Sequence, residues 1–214
     1  MSDQPVILVG AGSHAKVVID ALQCAGREIL FAVDLAPRKH GTTILGVSIV
    51  GDESKLDEQS PSEVLLVNGV GSADSCGVRR DVFSRLKARD WSFAQVIHPS
   101  AVIARSAKLG EGAQLLAGAV VQPLCEVGDN AIINTRASID HDCVIGAHSH
   151  VAPGVTISGG VTIGEGSHVG VGSSVIQGVT IGAGTLIGAG SVVVRNVPAG
   201  VVEYGVPAKM VRKV

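Results

Sequence analysis

The stretch "TIGEGSHVGVGSSVIQGV", Thr162 to Val179, decides the fold, because it divides into three units of six residues. In each unit the second residue is a large aliphatic one and the sixth is Ser or Val. The same pattern continues without interruption from Val102 to Val197, always with Val, Ile or Leu in second place and Ala, Ser, Thr, Cys or Val in sixth. Neither an amphipathic helix, with a period of about 3.6 residues, nor a simple alternating strand marks every sixth residue.

This period predicts a parallel β-solenoid in which each unit supplies one short strand and one turn. Three units, or 18 residues, would close one triangular coil. Successive coils are expected to stack about 4.8 Å apart, which is the spacing of neighbouring strands. The large aliphatic residue fills the interior, and the small residue fits where the chain bends inward.

The N-terminal half has a different pattern, in which apolar strands alternate with Gly-rich turns and helical stretches. "PVILVGAGSHAKVVIDAL" is a strand, a turn and a helix, and "ILFAVD", "EVLLVNGVG" and "FAQVIHP" are interpreted as further strands. This alternation predicts a small Rossmann-like parallel α/β sheet. We place the domain boundary at His98-Pro99, which gives an α/β domain of residues 1–98 and a β-helix domain of residues 99–214 with a C-terminal tail.

Composition limits the possible functions. The chain is 46% hydrophobic but only 2% aromatic. Its net charge of -2 gives no sign of the basic surface that is typical of nucleic-acid-binding proteins. We find neither a charged leader with an apolar core nor an apolar run near about 18 residues, and we therefore expect no signal peptide and no membrane span. The cysteines form no C-x-x-C pair, which favours reduced thiols and a cytoplasmic protein. Cys125 and Cys143 are 18 residues apart and are predicted to pack in the interior.

The carboxyl ends of the N-terminal strands form a candidate ligand site, as in other parallel α/β sheets. Gly10 to Ala15 matches G-x-G-x-x-A, a turn that lets a phosphate approach a helix N-terminus. Asp34 ends the second strand, where it can hold a ribose hydroxyl or a base. A tight turn without a ligand is the alternative, and there is room for only about one of the two halves of an NAD domain. The predicted nucleotide-side residues are Gly10, Gly12, Ser13, His14, Asp34, Asn68, Gly69 and Gly71.

A second candidate site lies in "SIDHDCVIGAHSHVAPG", Ser138 to Gly154. His141 lies between two aspartates, and a histidine paired with a carboxylate can act as a general base near neutral pH. A solvated turn is the alternative for a histidine on such a scaffold. His148 matches no motif and is predicted to be surface. His150 and His168 are one coil apart, so they should lie on the same face.

Three segments together carry a resemblance to a known family: the G-A-x-x-H turn at Gly10 to His14, "NTRASIDHDCVIG" at 134–146 and "YGVPAKMVRK" at 204–213. The chain resembles the bacterial nucleotide-sugar acetyltransferases, whose hexapeptide repeats wind as a left-handed β-helix. The resemblance implies that the N-terminal turn holds a sugar nucleotide and the β-helix holds acetyl-CoA. It further implies N-acetylation of a nucleotide-linked 4-amino-sugar, with GDP-perosamine favoured, in the synthesis of surface polysaccharide such as O-antigen.

The resemblance also implies roles for individual residues. The catalytic residues are expected to be His141, Asp142 and Asn134. Ala15 departs from the family, which often has Gly there, and some members carry Glu in place of Asp142. The residues expected to contact acetyl-CoA are His150, His168, Gly170, Val171, Ala189 and Lys209.

Other functional classes remain open from the sequence. A sugar or sialic-acid O-acetyltransferase would use similar groups, and a non-catalytic or NAD-binding module is a further alternative. A metal site is not expected, because the chain has neither H-x-x-x-H nor C-x-x-C spacing. His141 and His150 lie half a coil apart, so they cannot both contact one thioester from the same chain. If both serve one acetyl-CoA, the protein must be a homotrimer with its sites between subunits.

Overall fold

The computed structural model describes residues 4–72 and 75–214. Its N-terminal part is a five-stranded sheet with two α-helices and two 3-10 turns, Pro37–Lys39 and Glu53–Glu58. In chain order the strands and helices are β1 (Val6–Val9), α1 (Ser13–Cys24), β2 (Ile29–Val33), β3 (Thr43–Ile44), β4 (Val47–Gly51), β5 (Leu65–Asn68) and α2 (Gly77–Lys87).

The sheet order is β3-β4-β2-β1-β5, and the pairs β4-β2, β2-β1 and β1-β5 are parallel. The predicted parallel α/β sheet is therefore confirmed. Its edge is an antiparallel hairpin, β3-β4, which the sequence interpretation missed. The hairpin turns at Leu45-Gly46, where both residues have positive φ (45° and 82°), as a two-residue primed turn requires.

Two N-terminal turns touch each other, and glycine makes this contact possible. Gly10 has φ +91°, and a Cβ on it would lie 2.7 Å from Cγ2 of Val70. A Cβ on Gly69 would lie 2.1 Å from the carbonyl oxygen of Gly10. The turn after β1 and the turn after β5 are therefore packed backbone against backbone, directly before α1 begins at Ser13.

The remainder of the chain is a left-handed parallel β-helix of two-residue strands, each starting six residues after the last. Residues 18 apart pair in register, as Ser138 does with Val120 and Thr156. The predicted solenoid is therefore confirmed. The strands are β6 (Val96–Ile97), β7 (Val102–Ile103), β8 (Lys108–Leu109), β9 (Gln114–Leu115), β10 (Val120–Val121), β11 (Glu126–Val127), β12 (Ile132–Ile133), β13 (Ser138–Ile139), β14 (Val144–Ile145), β15 (His150–Val151), β16 (Thr156–Ile157), β17 (Thr162–Ile163), β18 (His168–Val169), β19 (Ser174–Val175), β20 (Thr180–Ile181), β21 (Leu186–Ile187) and β22 (Val192–Val193).

The coils have three faces. Face 1 contains β6, β9, β12, β15, β18 and β21, face 2 contains β7 and every third strand to β22, and face 3 contains β8 and every third strand to β20. A C-terminal antiparallel hairpin of β23 (Val201–Gly205) and β24 (Ala208–Lys213) extends face 1 beyond β21. No helix in residues 4–72 and 75–214 is long and apolar enough to span a membrane.

The interior is filled as the repeat predicts, by one large aliphatic and one small residue from each unit. Cys125 and Cys143 occupy the small position and are completely buried. Burial raises the pKa of the Cys143 thiol to about 11, which suits a packed thiol rather than a nucleophile. The four cysteines of the chain are free thiols: Cys24, Cys76, Cys125 and Cys143.

The last predicted N-terminal strand, "FAQVIHP", was assigned to the wrong sheet. β6 pairs in parallel with β9 of the β-helix, whereas Phe93, at the start of the predicted strand, forms an isolated parallel bridge with Leu66 of β5. A two-residue apolar strand has the same local pattern in either sheet, so the sequence did not distinguish them. The boundary at His98-Pro99 stays a prediction. The α/β layer packs on face 1, since Leu116 and Ile132 join its core.

Ile181→Ala tests the packing of the interior. Ile181 is completely buried on β20, so its loss should remove about 2–5 kcal/mol from the free energy of unfolding. Thr180, its neighbour on the same strand, is exposed, and Thr180→Ala should change stability by no more than about 0.5 kcal/mol. Urea unfolding of both variants makes the comparison. Equal effects would show that the coil interior is not close-packed.

Candidate active site

His141 lies on the corner between faces 2 and 3, in the turn from β13 to β14. Its Nδ1 donates to the carboxylate of Asp142 at 2.7 Å, and its backbone amide donates to Oδ1 of Asp140 at 2.8 Å. The hydrogen bond to Asp142, together with the charge of Asp140, raises the pKa of His141. With the proton held on Nδ1, Nε2 carries the lone pair, and the side chain is 56% exposed. This geometry is that of a general base open to a ligand.

Gly159 lies one coil beyond His141, and its lack of a side chain leaves room for the imidazole ring. A Cβ on Gly159 would lie 2.6 Å from Cε1 of His141 and 2.8 Å from Nε2. The next residue, Gly160, has φ +68°, a left-handed conformation that glycine adopts without strain, whereas Gly159 has no positive φ. The sequence interpretation missed Gly159, although a Gly-Gly pair in a turn that needs one left-handed residue was a usable signal.

His150 is held from both sides on β15. Nδ2 of Asn134 donates to its Nε2 at 2.9 Å, and its Nδ1 lies 2.7 Å from Oγ of Ser72 and 3.1 Å from the Ser72 carbonyl oxygen. Burial, assisted by His168 and His14, lowers the pKa of His150 to about 3. His150 is therefore neutral at physiological pH. Asn134, which we expected beside the catalytic His141, contacts His150 instead. Within one chain it therefore supports the acetyl-CoA cleft.

A cleft of about 440 Å³ opens beside His150, where face 1 meets face 2. His168 lies one coil above, with its ring edge-on to His150 at 4.7 Å between centroids. Five of the six residues predicted to contact acetyl-CoA line this cleft: His150, His168, Gly170, Val171 and Ala189. The sixth, Lys209, lies on the C-terminal hairpin opposite Tyr204 and does not line it. Ser72 and Leu186 also line the cleft, and the sequence interpretation missed both.

A separate cleft of about 210 Å³ lies at the carboxyl ends of β1 and β2, where Gly10 and Asp34 are among the lining residues. The Asp34 carboxylate accepts hydrogen bonds from Lys39 Nζ at 2.7 Å and from the amides of Ala11 and Ala36 at 2.7 and 2.9 Å. Burial alone would raise the pKa of Asp34, but these donors outweigh it and the pKa is lowered. Asp34 is thus an anion that already orders the turn around it.

His14 connects the two halves of the chain. Its Nε2 donates to Oε1 of Gln114 on β9 at 2.8 Å. Burial, then the charge of Arg79, lowers the pKa of His14 to about 4, so the ring is neutral. Gly71 packs against it, since a Cβ there would lie 2.8 Å from the His14 Cβ. His14 is therefore an inter-domain contact, placed between the two clefts.

The other predicted nucleotide-side residues are divided between surface and interior. Gly12 and Ser13 are exposed at the start of α1. Asn68 is 1% exposed, and its amide bonds to the carbonyl oxygen of Arg79, to Oδ1 of Asn130 and to the amide of Val70. The Asn68 side chain is thus used within the protein and is not presented to either cleft.

His148 is not the surface residue that the sequence suggested. It is half-buried, its Nδ1 lies 3.0 Å from Nδ2 of Asn130, and its ring meets Phe83 edge-on at 5.4 Å. The cause is the α/β layer, which covers this corner of the β-helix. Sequence periodicity places a residue on the outside of a coil but does not show what covers it.

One group of potential metal ligands occurs in the described ranges, 4–72 and 75–214: Asp20, Cys24 and His98. Nδ1 of His98 accepts from the amide and the hydroxyl of Ser100, at 3.0 and 2.7 Å. Its proton is therefore on Nε2, so neither ring nitrogen offers a free lone pair to a cation. Asp20 and Cys24 are exposed and His98 is half-buried, and because Ser100 already engages His98 we assign no metal to the group.

The β-helix carries the exposed His141-Asp142 pair on one corner and the cleft beside His150 on another. Together with the α/β layer, these features define a hexapeptide-repeat acyltransferase. Two family descriptions match the chain: "PglD N-terminal domain" over residues 5–86 and "Bacterial transferase hexapeptide (six repeats)" over residues 124–159. No curated protein matches it. The structures below show that the chain belongs to the hexapeptide-repeat acetyltransferase family with a PglD-type N-terminal domain.

Three solved structures show the extent of the similarity. PerB from Caulobacter crescentus, solved with CoA and GDP-perosamine, is 40% identical over 96% of both chains, with a TM-score of 0.88. The acetyltransferase domain of PglB from Neisseria gonorrhoeae FA1090, solved with acetyl coenzyme A, is 33% identical over 98% of this chain and all of that one, with a TM-score of 0.90. WeeI from Acinetobacter baumannii AYE, 24% identical over 97% and 99% of the chains with a TM-score of 0.86, supports the fold alone.

Proposed function

We propose that this protein transfers the acetyl group of acetyl-CoA to the amino group of a nucleotide-linked 4-amino-sugar, with GDP-perosamine the favoured substrate. The observation that carries the proposal is the His141-Asp142 pair, which leaves a basic Nε2 open on a rigid β-helix corner. The 40% identity to PerB, whose structure holds CoA and GDP-perosamine, supports the substrate pair. The free thiols suit a cytoplasmic enzyme of surface polysaccharide synthesis.

The chemistry follows from the placement of the groups. The sugar nitrogen attacks the thioester carbonyl, a C–N bond forms, and the C–S bond breaks to release CoA thiolate. Nε2 of His141 accepts the proton that leaves the nitrogen, and Asp142 keeps the other ring proton on Nδ1. The proton then passes to the leaving sulfur or to solvent, which returns His141 to its starting state.

The cleft beside His150 is proposed to hold the acetyl end of acetyl-CoA. Its wall is rigid, because Asn134 and Ser72 both hold the neutral His150 ring. The cleft at Gly10 and Asp34 is proposed to hold the nucleotide. There the fixed anion of Asp34 offers a hydrogen-bond acceptor to a ribose hydroxyl or a base.

The complete site is proposed to form between subunits of a homotrimer. Within one chain His141 lies where faces 2 and 3 meet, whereas the His150 cleft lies where faces 1 and 2 meet. One acetyl-CoA therefore needs His141 of one subunit beside the cleft of another. A heterologous contact of this kind closes into a ring through cyclic symmetry.

Mixing two inactive variants tests the shared site. When His141→Ala and His150→Ala subunits exchange freely at equal amounts, about a quarter of the interfaces should carry both intact histidines, because each side is intact in half of the chains. Activity should return to about that fraction of wild type. Each variant subjected to the same exchange alone is the control. No recovery despite demonstrated exchange, or an active monomer in light scattering, would contradict the shared site.

The substrate is tested by following CoA release from acetyl-CoA with GDP- and UDP-linked 4-amino-sugars. Turnover with the GDP-linked amine, and none with the matching 4-hydroxy sugar, is the expected result. Acetylation of hydroxyl sugars alone would instead support an O-acetyltransferase. Binding of NADH without turnover of any sugar would instead support the alternative that the N-terminal domain binds a dinucleotide.

A further inference from the structure

A single loop, Asn68 to Ser72, touches both clefts. Val70 lines the cleft at Gly10 and Asp34, and Ser72 lines the cleft of His150. Between them Gly71 packs against His14. Any displacement of this loop therefore changes the walls of both clefts together.

Arg79, on the first turn of α2, holds this loop in place. Its Nη1 donates to the carbonyl oxygens of Asn68 at 3.0 Å and Val70 at 2.7 Å. Its Nε donates to the carbonyl oxygen of Asn130, on a β-helix corner, at 3.1 Å. One side chain thus fastens the loop at two points and ties it to the β-helix at a third.

The bonding of Arg79 is unusual for a structural contact. The side chain is 1% exposed, and among the described residues no carboxylate forms an ion pair with it. Burial lowers the pKa of Arg79 to about 9, so it is still a cation at neutral pH. Among the described residues its recorded partners are carbonyl oxygens, and a buried charge held in this way costs stability that an apolar residue of similar volume would not. A purely structural strut between the domains does not require this charge.

The charge of Arg79 acts on two histidines that contact the loop, His14 at Gly71 and His150 at Ser72. After burial, Arg79 is the next cause of the lowered pKa of His14 and a smaller cause at His150. Burial and the charge of Arg79 together keep both rings neutral, and the hydrogen bond that His150 accepts from Asn134 requires this. The Gln114 oxygen accepts from His14, and Nε2 of His150 accepts from Asn134.

We propose that Arg79 is a positioning residue for acetyl transfer, which fixes the loop Asn68–Ser72 so that the nucleotide cleft and the acetyl-CoA cleft keep one relative geometry. This inference rests on the proposed function of the two clefts. A planar guanidinium can direct bonds to three carbonyls at once, whereas a lysine ammonium on a flexible stem cannot hold the same fork. The side chain touches neither cleft and acts through the loop.

Arg79→Lys is the test variant, because it keeps the charge and loses the fork. Misplacement by about 1 Å costs on the order of 10²-fold in rate, and we expect a loss of that order in kcat. The KM values for the sugar nucleotide and for acetyl-CoA should both rise, because both clefts share the loop. Arg89→Lys is the matched control, since Arg89 is an exposed arginine just beyond α2 that pairs with Asp57. It should leave all three constants unchanged.

A double-mutant cycle with Ser72→Ala separates positioning from general destabilisation. If Arg79 acts through the loop, the acetyl-CoA KM of the double variant should equal that of Arg79→Lys alone, because Ser72 has already lost its position. Additive effects on that KM, in variants whose thermal unfolding remains cooperative, would overturn the proposal. So would kinetic constants for Arg79→Lys within about twofold of wild type.

If Arg79→Lys fails to fold, Arg79→Met is measured in its place. This variant removes the charge and leaves an apolar side chain of similar length. Histidine nitrogen NMR should then show the pKa of His14 above its wild-type value of about 4. Wild-type KM values for both substrates in Arg79→Met would overturn the proposal. Calorimetric binding of each substrate to the wild-type protein is measured first. Failure there would refute the proposed function, whereas normal binding with an indifferent Arg79→Lys would refute the positioning role alone.

Discussion

His141→Ala is expected to lower kcat by about 10²–10⁴-fold, which is the usual contribution of a general base, with little change in the KM for acetyl-CoA. The reason is chemical, because Nε2 of His141 takes the proton of the amine, whereas His150 and its neighbours, and not His141, form the lining of the acetyl-CoA cleft. Steady-state kinetics with saturating sugar nucleotide measure both constants. His98→Ala, which removes a histidine that lines neither cleft, is the control and should retain wild-type kinetics.

The pH profile distinguishes a base from a residue that only positions the amine. A base must be unprotonated, so kcat/KM should rise with pH through the raised pKa of His141. Asp142→Asn keeps a residue suited to the left-handed backbone at φ 58° but removes the carboxylate. The His141 pKa should then fall, moving the rising limb to lower pH while the plateau drops. A profile that does not shift in Asp142→Asn would remove His141 from the role of base.

Gly159→Ala is expected to lower kcat on the order of 10²-fold, because the new methyl group would lie 2.6 Å from Cε1 of His141 and must displace the ring. The backbone at Gly159 has no positive φ, so alanine adds no backbone strain. The atoms it meets belong to an exposed side chain that can rotate away. Folding stability should therefore be almost unchanged, and loss of activity without loss of stability is the signature to measure.

The control for that variant is Gln177→Ala, one coil beyond on the same corner, where the amide of Gly178 bonds to the carbonyl of Gly159. Gln177 is exposed and should tolerate alanine with full activity. If Gly159→Ala is as active as Gln177→Ala, the observed orientation of His141 is not the one that catalyses transfer.

The β-helix was predictable to the residue because each coil contacts only its neighbours, so a local six-residue pattern determines the long-range register. From Val102 to Val193, strands begin at the first residue of each unit. The N-terminal sheet was less predictable. Its hairpin β3-β4 depends on Leu45 adopting a positive φ, which sequence propensity disfavours, and β6 pairs with a partner outside its own layer.

The candidate site likewise has residues that the sequence predicts and residues that it does not. Repeat arithmetic and family motifs predicted that His141 lies beside Asp142 and that His150 and His168 share a face, and the structure has both arrangements; their roles stay predictions. Ser72 was missed because it reaches His150 from 78 residues away. Asn68 was expected at a ligand and lies instead in the buried bonding of Arg79, since a residue at a strand end can serve the domain contact as well as the cleft.

The central claim is acetyl transfer to a sugar nitrogen by His141, and mass spectrometry of the nucleotide sugar after reaction with acetyl-CoA tests it most directly. The account predicts that GDP-perosamine gains one acetyl group, with one free CoA thiol released for each. The product should resist hydroxylamine, as an amide does, and His141→Ala should form it far more slowly. Unmodified sugar nucleotide, or an acetyl group that hydroxylamine removes as it would from an ester, would contradict the account.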